Sequence, residues 1–479
     1  MLNFFKNLPK YYLILPGLLL VELWSLASFT QGWLNLLGFT AVSVLAITLA
    51  IRDLRLALCL IFLELLIGSK GYLFSLELGS FTISIRIALW LIIMSVWFAQ
   101  FYLRPAVRQV LSERLKLKST RYFLTLVTAC IIAVIIGLAS NQLSNLFFDA
   151  NNWLFLGLAL PLATSFRTRE DLILLYRSFW LGLVALSLST IALAYVFSHE
   201  LGTWPGLIYA WLRSAGLAEI TWTPHGFWRI FMQSQLYLVP SLIALQLASL
   251  SQNLKSKTGL KLTLSTALIL TALFFSLSRS FFLGASIISL IILISTLADK
   301  VKLLRYLSFG VSSLALSIVL IWSIVASGST FAALLDRAKI GTEEAASSRW
   351  NLLPIIWQEI TESPVLGQGF GTTVTYTSAD PRILSQSPSG AYTTYAFEWG
   401  WLDLWLKLGL WGMLAYLGWL SYLILELFKL KQSHATWLGY SLIALASIHF
   451  FTPYLNHPLG LMLVLISAEA LSIWQKPKL

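Results

Sequence analysis

Apolar runs long enough to cross a bilayer recur along almost the whole chain. A transmembrane helix needs about 20 mostly apolar residues, and fourteen runs of about that length can be drawn. They cover residues 11–29, 32–51, 55–70, 82–103, 121–140, 147–165, 172–197, 227–250, 259–277, 280–298, 303–326, 398–425, 435–451 and 457–474. Hydrophobic residues make up 58% of the 479 residues and charged residues only 11%, which excludes a soluble domain. We therefore predict an all-α fold, a polytopic transmembrane helical bundle of about 12–14 spans.

The basic residues predict how these spans are oriented. Cytoplasmic loops collect Lys and Arg, and most of the 33 basic residues fall in alternate loops, among them 104–121, 167–177 and 255–261. This alternation predicts that both termini are cytoplasmic. The net charge of +12 then reflects membrane topology, and no nucleic-acid partner is expected.

Three regions follow from the spacing of the runs: transmembrane helices 1–11 in residues 1–326, an outer loop at 327–397, and C-terminal transmembrane helices at 398–479. Within the loop, Trp350, Leu353, Ile356, Trp357 and Ile360 recur at helical spacing, which predicts an amphipathic helix on the membrane surface over 348–362. Pro364 should end it. We expect the glycines of 367–371 to form a flexible turn, followed by irregular backbone up to Thr394.

Four short motifs stand out in the second half of the chain. They are SRSFFLG at 278–284, SRW at 348–350, ESPVLGQGFG at 362–371 and GLWG at 409–412. In sequence, order and spacing they resemble the O-antigen ligase and polymerase superfamily, and the resemblance covers about 225–425.

The resemblance implies a metal-independent membrane glycosyltransferase that needs no cofactor. Its substrate would be an undecaprenyl-diphosphate-linked glycan, used on the periplasmic side of the bacterial inner (plasma) membrane. Membrane lipid and other polysaccharide-assembly proteins are further candidate partners. The family's ligases place a His-Asn pair about eleven residues before the first glycine of the GLWG motif, where this chain has Glu398-Trp399. That departure favours a polymerase, with ligase-like transfer to another acceptor as the alternative.

Arginines are the expected binding groups for the diphosphate, because a guanidinium binds phosphate oxygens in two places and keeps its proton. Arg279 interrupts a long apolar stretch at a predicted outer turn, Arg349 heads the amphipathic helix, and Arg229 lies at the predicted outer mouth of its span. The alternative for each is anchoring at lipid headgroups.

Attack by a sugar hydroxyl requires a base. Glu398, at the start of an outer-facing span, is the catalytic candidate, on the expectation that partial burial raises its pKa. Its alternative is a carboxylate favoured by the helix dipole. Asp403 and His225 are additional candidates.

A rival interpretation is a transporter of anions or other solutes. Glu22 and Glu64 are intramembrane carboxylates, which are functional candidates by default. They could instead pair with Arg86 or a polar side chain within the bundle.

Overall fold

The computed structural model describes residues 14–79, 81–223, 226–325, 344–378, 381–385 and 387–475. It is 77% helical. The helices are α1 (Ile14–Thr30), α2 (Gly32–Arg52), α3 (Leu54–Ile67), α4 (Ile85–Leu103), α5 (Pro105–Leu115), α6 (Lys118–Ser140), α7 (Leu143–Ala150), α8 (Ala159–Ser165), α9 (Arg169–Ser198), α10 (Trp204–Ser214), α11 (Leu238–Ser249), α12 (Lys257–Ser276), α13 (Arg279–Thr296), α14 (Lys300–Ile324), α15 (Glu344–Glu362), α16 (Pro381–Leu384), α17 (Gly400–Lys429), α18 (Ser433–His449) and α19 (Pro458–Trp474). The strands are β1 (Ser75–Leu78), β2 (Phe81–Ser84), β3 (Glu219–Trp222), β4 (Trp228–Phe231), β5 (Val374–Thr377) and β6 (Ala391–Thr394).

The predicted all-α polytopic bundle is confirmed. Each of the fourteen apolar runs contains a helix. In the described part of the chain, nine helical segments are long and apolar enough to cross a membrane, and α1 and α19 are shorter apolar helices. The three-region division stays a prediction, and its first boundary, between residues 326 and 327, lies outside the described residues.

The first of two compact units comprises 1–107 and 164–336. Its centre is α3, which is short and apolar on every side and is therefore buried all round. Phe62 of this helix packs on Phe179 and Tyr237, at ring-centroid distances of 6.3 and 5.7 Å. Glu64, on the same helix, forms a buried bidentate pair with Arg86 at 2.7 and 3.1 Å.

The predicted span at 227–250 is wrong in its first half. Residues 228–231 form β4, which pairs with β3 in an antiparallel hairpin, and a 3-10 turn at 233–237 precedes α11. Trp228, Ile230 and Phe231 favour a strand by type, and a hydropathy average cannot separate a short apolar strand from a helix.

The second unit comprises 108–163 and 337–479. Helix α17 packs along α6, where Phe123 lies against Trp419 with ring centroids 5.3 Å apart. Nearly every residue of α19 is buried.

Helix α15 ends at Glu362, just before Pro364, as predicted, but it begins at Glu344 and not at Ser348. Its buried face differs from the predicted one. Leu352, Ile356 and Ile360 form the packed stripe, in a cluster with Val374, Phe397 and Leu406, whereas Trp350 and Trp357 are 54% and 51% exposed. The helix therefore packs on its own unit, and its location at the membrane surface stays a prediction.

The expected irregular backbone before Thr394 is also wrong in part. Strands β5 and β6 pair antiparallel, with Val374 opposite Thr394 and Tyr376 opposite Tyr392. The alternation of Thr and Tyr suits such a pair, because β-branched and aromatic residues stabilise cross-strand contacts.

Candidate functional site

Helix α17 is broken at Gly409, where φ is +70° and ψ 178°. Segment 364–369, which contains the start of the glycine turn, lies against this break. Four backbone hydrogen bonds join them: Gln368 N–H to Leu406 O (2.8 Å), Gly369 N–H to Lys407 O (3.2 Å), Leu410 N–H to Pro364 O (2.9 Å) and Trp411 N–H to Val365 O (3.3 Å). Segment 364–369 thus supplies hydrogen-bond partners for the peptide groups that the break leaves unpaired within α17, as non-helical backbone in a membrane-spanning helix requires.

Close backbone approach explains why glycines stand here. A Cβ on Gly409 would lie 2.1 Å from the carbonyl oxygen of Val365, and one on Gly367 would lie 2.5 Å from the backbone nitrogen of Gly409. Gly367 also has a positive φ, +75°. The predicted turn is thus confirmed as a turn, but its backbone is held in place and is not flexible.

The side chain of Asn141, at the end of α6, fixes the rest of the turn. Its Nδ2 donates to the carbonyl oxygens of Gln368 and Phe370 at 3.2 and 2.9 Å. Phe370 N–H in turn donates to Ala133 O at 3.0 Å. The turn is therefore held by α6 as well as by α17.

Beside the break lies a buried ionic cluster of Asp149, Asp403 and Lys407. The ammonium nitrogen of Lys407 is 2.8 Å from an Asp149 oxygen and 2.7 Å from an Asp403 oxygen, and the three side chains are at most 9% exposed. Lys407 also donates to Tyr395 O at 2.8 Å, and Gly371 N–H donates to Asp149 at 2.9 Å. The cluster thus ties the glycine turn to the segment that precedes Glu398.

Glu398 forms an ion pair with Arg349. Two further contacts hold them together, since Trp399 Nε1 donates to Arg349 O at 2.9 Å and the Trp350 and Trp399 rings meet edge to face at 5.3 Å. The Glu398 side chain is 52% exposed. The burial expected for this carboxylate is therefore absent, because it precedes the first turn of α17.

Arg279 and Arg229 belong to the first unit. Arg279 is the first residue of α13, directly after a tight connection from α12, so the predicted helix–helix turn is confirmed. Leu277 in that connection has φ +44°, a strained value for a bulky residue and a frequent mark of functional sites. Arg229 lies on β4 and not at the mouth of a helix, and its Nε donates to Ser276 O at 2.9 Å. Both arginines are thus at the α12–α13 connection.

The remaining candidate residues have environments that differ from the predicted ones or lie outside the described residues. Asp403, expected as a second base, is held by Lys407 and by the Asn456 side chain. His225 lies outside the described residues. Glu64 pairs with Arg86, and Glu22 accepts from the Ser189 hydroxyl, which satisfies the two carboxylates that motivated the transporter interpretation.

Sequence reasoning missed Asp149, Lys407 and Asn141. Of the three, Lys407 could have been selected from the sequence, because a lysine inside an apolar run is costly to bury and therefore indicates a buried ionic partner. The partner, Asp149, lies 258 positions away, and neither its pairing nor that of Asn141 is visible from spacing.

These features define a class of protein. It is a polytopic helical membrane protein in whose second unit a glycine turn is hydrogen-bonded to a helix that is broken at Gly409. Residues 264–417 match the O-antigen ligase family, which confirms the predicted resemblance to the O-antigen ligase and polymerase superfamily. No functionally curated protein matches the chain. The family implies a glycosyl-transfer enzyme, of ligase or polymerase type, that acts on a lipid-linked glycan in a membrane.

Proposed function

We propose that this protein is a polymerase-type glycosyltransferase that extends an undecaprenyl-diphosphate-linked glycan on the periplasmic side of the bacterial inner membrane. The observation that carries the proposal is the Arg349–Glu398 ion pair inside the matched segment. It joins a guanidinium suited to phosphate with a carboxylate suited to accept a proton.

The pair gives a way to couple donor binding to base activation. While Arg349 is held by Glu398, the carboxylate oxygens are engaged by the guanidinium and are not free to accept the proton of an acceptor hydroxyl. A diphosphate competes for the guanidinium, and both side chains are exposed enough to rearrange, at 36% and 52%. Transfer of Arg349 to the phosphate releases Glu398 for the acceptor hydroxyl.

The reaction balances without a metal or cofactor. The acceptor oxygen bonds to the anomeric carbon, Glu398 takes the hydroxyl proton, and the bond from the anomeric carbon to the phosphate oxygen breaks with its electron pair on the diphosphate. Direct attack inverts the anomeric carbon. We assign Arg279 and Arg229 to diphosphate binding, since cations at the developing charge favour its departure. The strained turn before Arg279 supports that role.

Polymerisation is favoured over ligation by the residues at 398–399. The family's ligases carry a His-Asn pair there, and this chain carries Glu398-Trp399. Ligase-like transfer to another acceptor remains the second candidate function.

The test is a reconstitution in lipid nanodiscs with undecaprenyl-diphosphate-linked repeat units, with chelator present and products followed by mass. We expect longer lipid-linked glycans and released undecaprenyl diphosphate. Glu398→Gln should slow extension by about 10²–10⁴-fold, the usual contribution of a general base, while the lipid diphosphate binds at least as tightly as to the wild type, because a neutral amide competes less for Arg349. Glu362→Gln, an exposed carboxylate at the end of α15, is the matched control.

Three other results are informative. An unchanged rate in Glu398→Gln removes Glu398 as the base. Saturable binding of the donor without extension points to a ligase with another acceptor. If the donor neither binds nor is extended, the transporter interpretation is favoured.

A further inference from the structure

A cavity of about 110 Å³ lies within the second unit, between α5, α6, α8, α17 and α19. Its walls are mostly apolar and include Leu111, Phe123, Leu160, Trp419 and Leu465. Apolar cavities of about 150 Å³ admit guests of the size of benzene. This cavity is smaller and is open to the surface, so it suits a few methylene groups of a chain that extends outside it.

The cavity opens at the surface of the second unit. Two of its lining residues, Leu115 and Leu124, are 48% and 44% exposed. Exposed leucines at the opening give an acyl chain an apolar path into the cavity. The deeper wall is polar, where Arg114 pairs with Glu469, each side chain 7% exposed.

Exposed cations flank the lining residue Leu115 at the opening of the cavity. Lys116 and Lys118 alternate in the chain with the lining residues Leu115, Leu117 and Ser119, and both lysines are exposed. Arg108 and Arg121 are also exposed on the same stretch, in which the single carboxylate is Glu113. An apolar cavity with exposed cations beside its opening complements a lipid with a negative headgroup.

We propose that this cavity binds one anionic phospholipid, with an acyl chain inside it and the headgroup phosphate on Lys116 and Lys118. The site is distinct from the proposed glycosyl-transfer residues. Its basic loop predicts that it faces the cytoplasm, whereas the lipid-linked glycan is expected on the opposite side.

The test is native mass spectrometry of the full-length protein offered equal amounts of phosphatidylglycerol and phosphatidylcholine with the same acyl chains. We expect one phosphatidylglycerol to be retained in preference. A cation near an anionic lipid contributes about fivefold in affinity, so the double variant Lys116→Gln/Lys118→Gln should lose retention by about 25-fold. Lys255→Gln/Lys257→Gln, an exposed pair with the same spacing in another basic loop, is the control and should retain the lipid.

A second variant tests the cavity without changing charge. Ala468→Phe adds a ring to a lining residue and should reduce retention of phosphatidylglycerol at least tenfold. Equal retention of the two phospholipids, or equal loss from the two lysine pairs, would mean ordinary boundary lipid and would overturn the proposal. If Ala468→Phe does not fold, the surface lysine pair still decides the outcome.

Discussion

Lys407→Met is the substitution for which the structure predicts the largest loss of stability. The ammonium of Lys407 is buried between two carboxylates, at 2.8 Å from Asp149 and 2.7 Å from Asp403. Methionine has similar length and no charge, so the variant leaves two carboxylates next to one another without their cation. Breaking a buried ion pair costs about 3–5 kcal/mol, and Tyr395 O loses its donor as well.

We expect the free energy of unfolding to fall by about 4 kcal/mol. For units of 150–250 residues this corresponds to roughly 8–16 °C in the unfolding midpoint. The assay is thermal unfolding of the detergent-solubilised protein, followed by the accessibility of its two buried cysteines, Cys59 and Cys130. Cys130 lies in the second unit, so a variant that keeps Cys130 alone reports the affected unit.

The control is Lys429→Met on the same helix. Lys429 pairs with Glu426 at 2.6 Å, but its side chain is 70% exposed, and exposed pairs contribute little. Its midpoint should stay within about 1 °C of the wild type. Combining Lys407→Met with Asp149→Asn and Asp403→Asn should recover most of the loss, since removing a whole buried pair is often neutral. A midpoint for Lys407→Met as close to wild type as that of the control would refute the assigned role of the cluster.

Three further predictions concern other parts of the chain. Gly409→Ala should destabilise the second unit by at least about 1–3 kcal/mol, because its φ is +70° and a Cβ would meet Val365 O; Gly418→Ala, with nothing nearer than 3.6 Å, is the control in the same melting assay. Arg279→Ala should reduce glycan extension at least about 100-fold at unchanged yield of folded protein, and wild-type chain lengths would contradict its role. Arg55 holds the pKa of Asp53 below its usual 3.8, so Asp53 stabilises the fold above that pH and loses the effect as the pH falls below it; Asp53→Asn should flatten the decline in unfolding midpoint below about pH 4.

The helices were predictable because a bilayer imposes a length and a composition that can be read residue by residue. Every apolar run contains a helix, and α15 ends where Pro364 predicts. The break at Gly409 was not predictable in the same way. A hydropathy average over a window of residues does not detect one broken position. The turn that completes the hydrogen bonds at the break lies about 40 positions earlier in the chain.

The candidate site was predictable in its residue types and not in its environments. Arg349 and Glu398 were both selected for their chemistry, and the structure pairs them. The exposure of Glu398 and the burial of Asp403 depend on which face of α17 packs inward, and on the ionic cluster with Asp149. Such long-range contacts leave no trace in local spacing.

The seat of the glycine turn has a consequence for biosynthesis. A span that breaks at Gly409, about 13 Å along α17, exposes peptide groups to hydrocarbon unless their partners are already present. The partners lie in 364–369, which precedes α17 in the chain. They are therefore synthesised before the span that needs them. Because of this order, the hydrogen bonds at the break depend on no segment that is synthesised after α17.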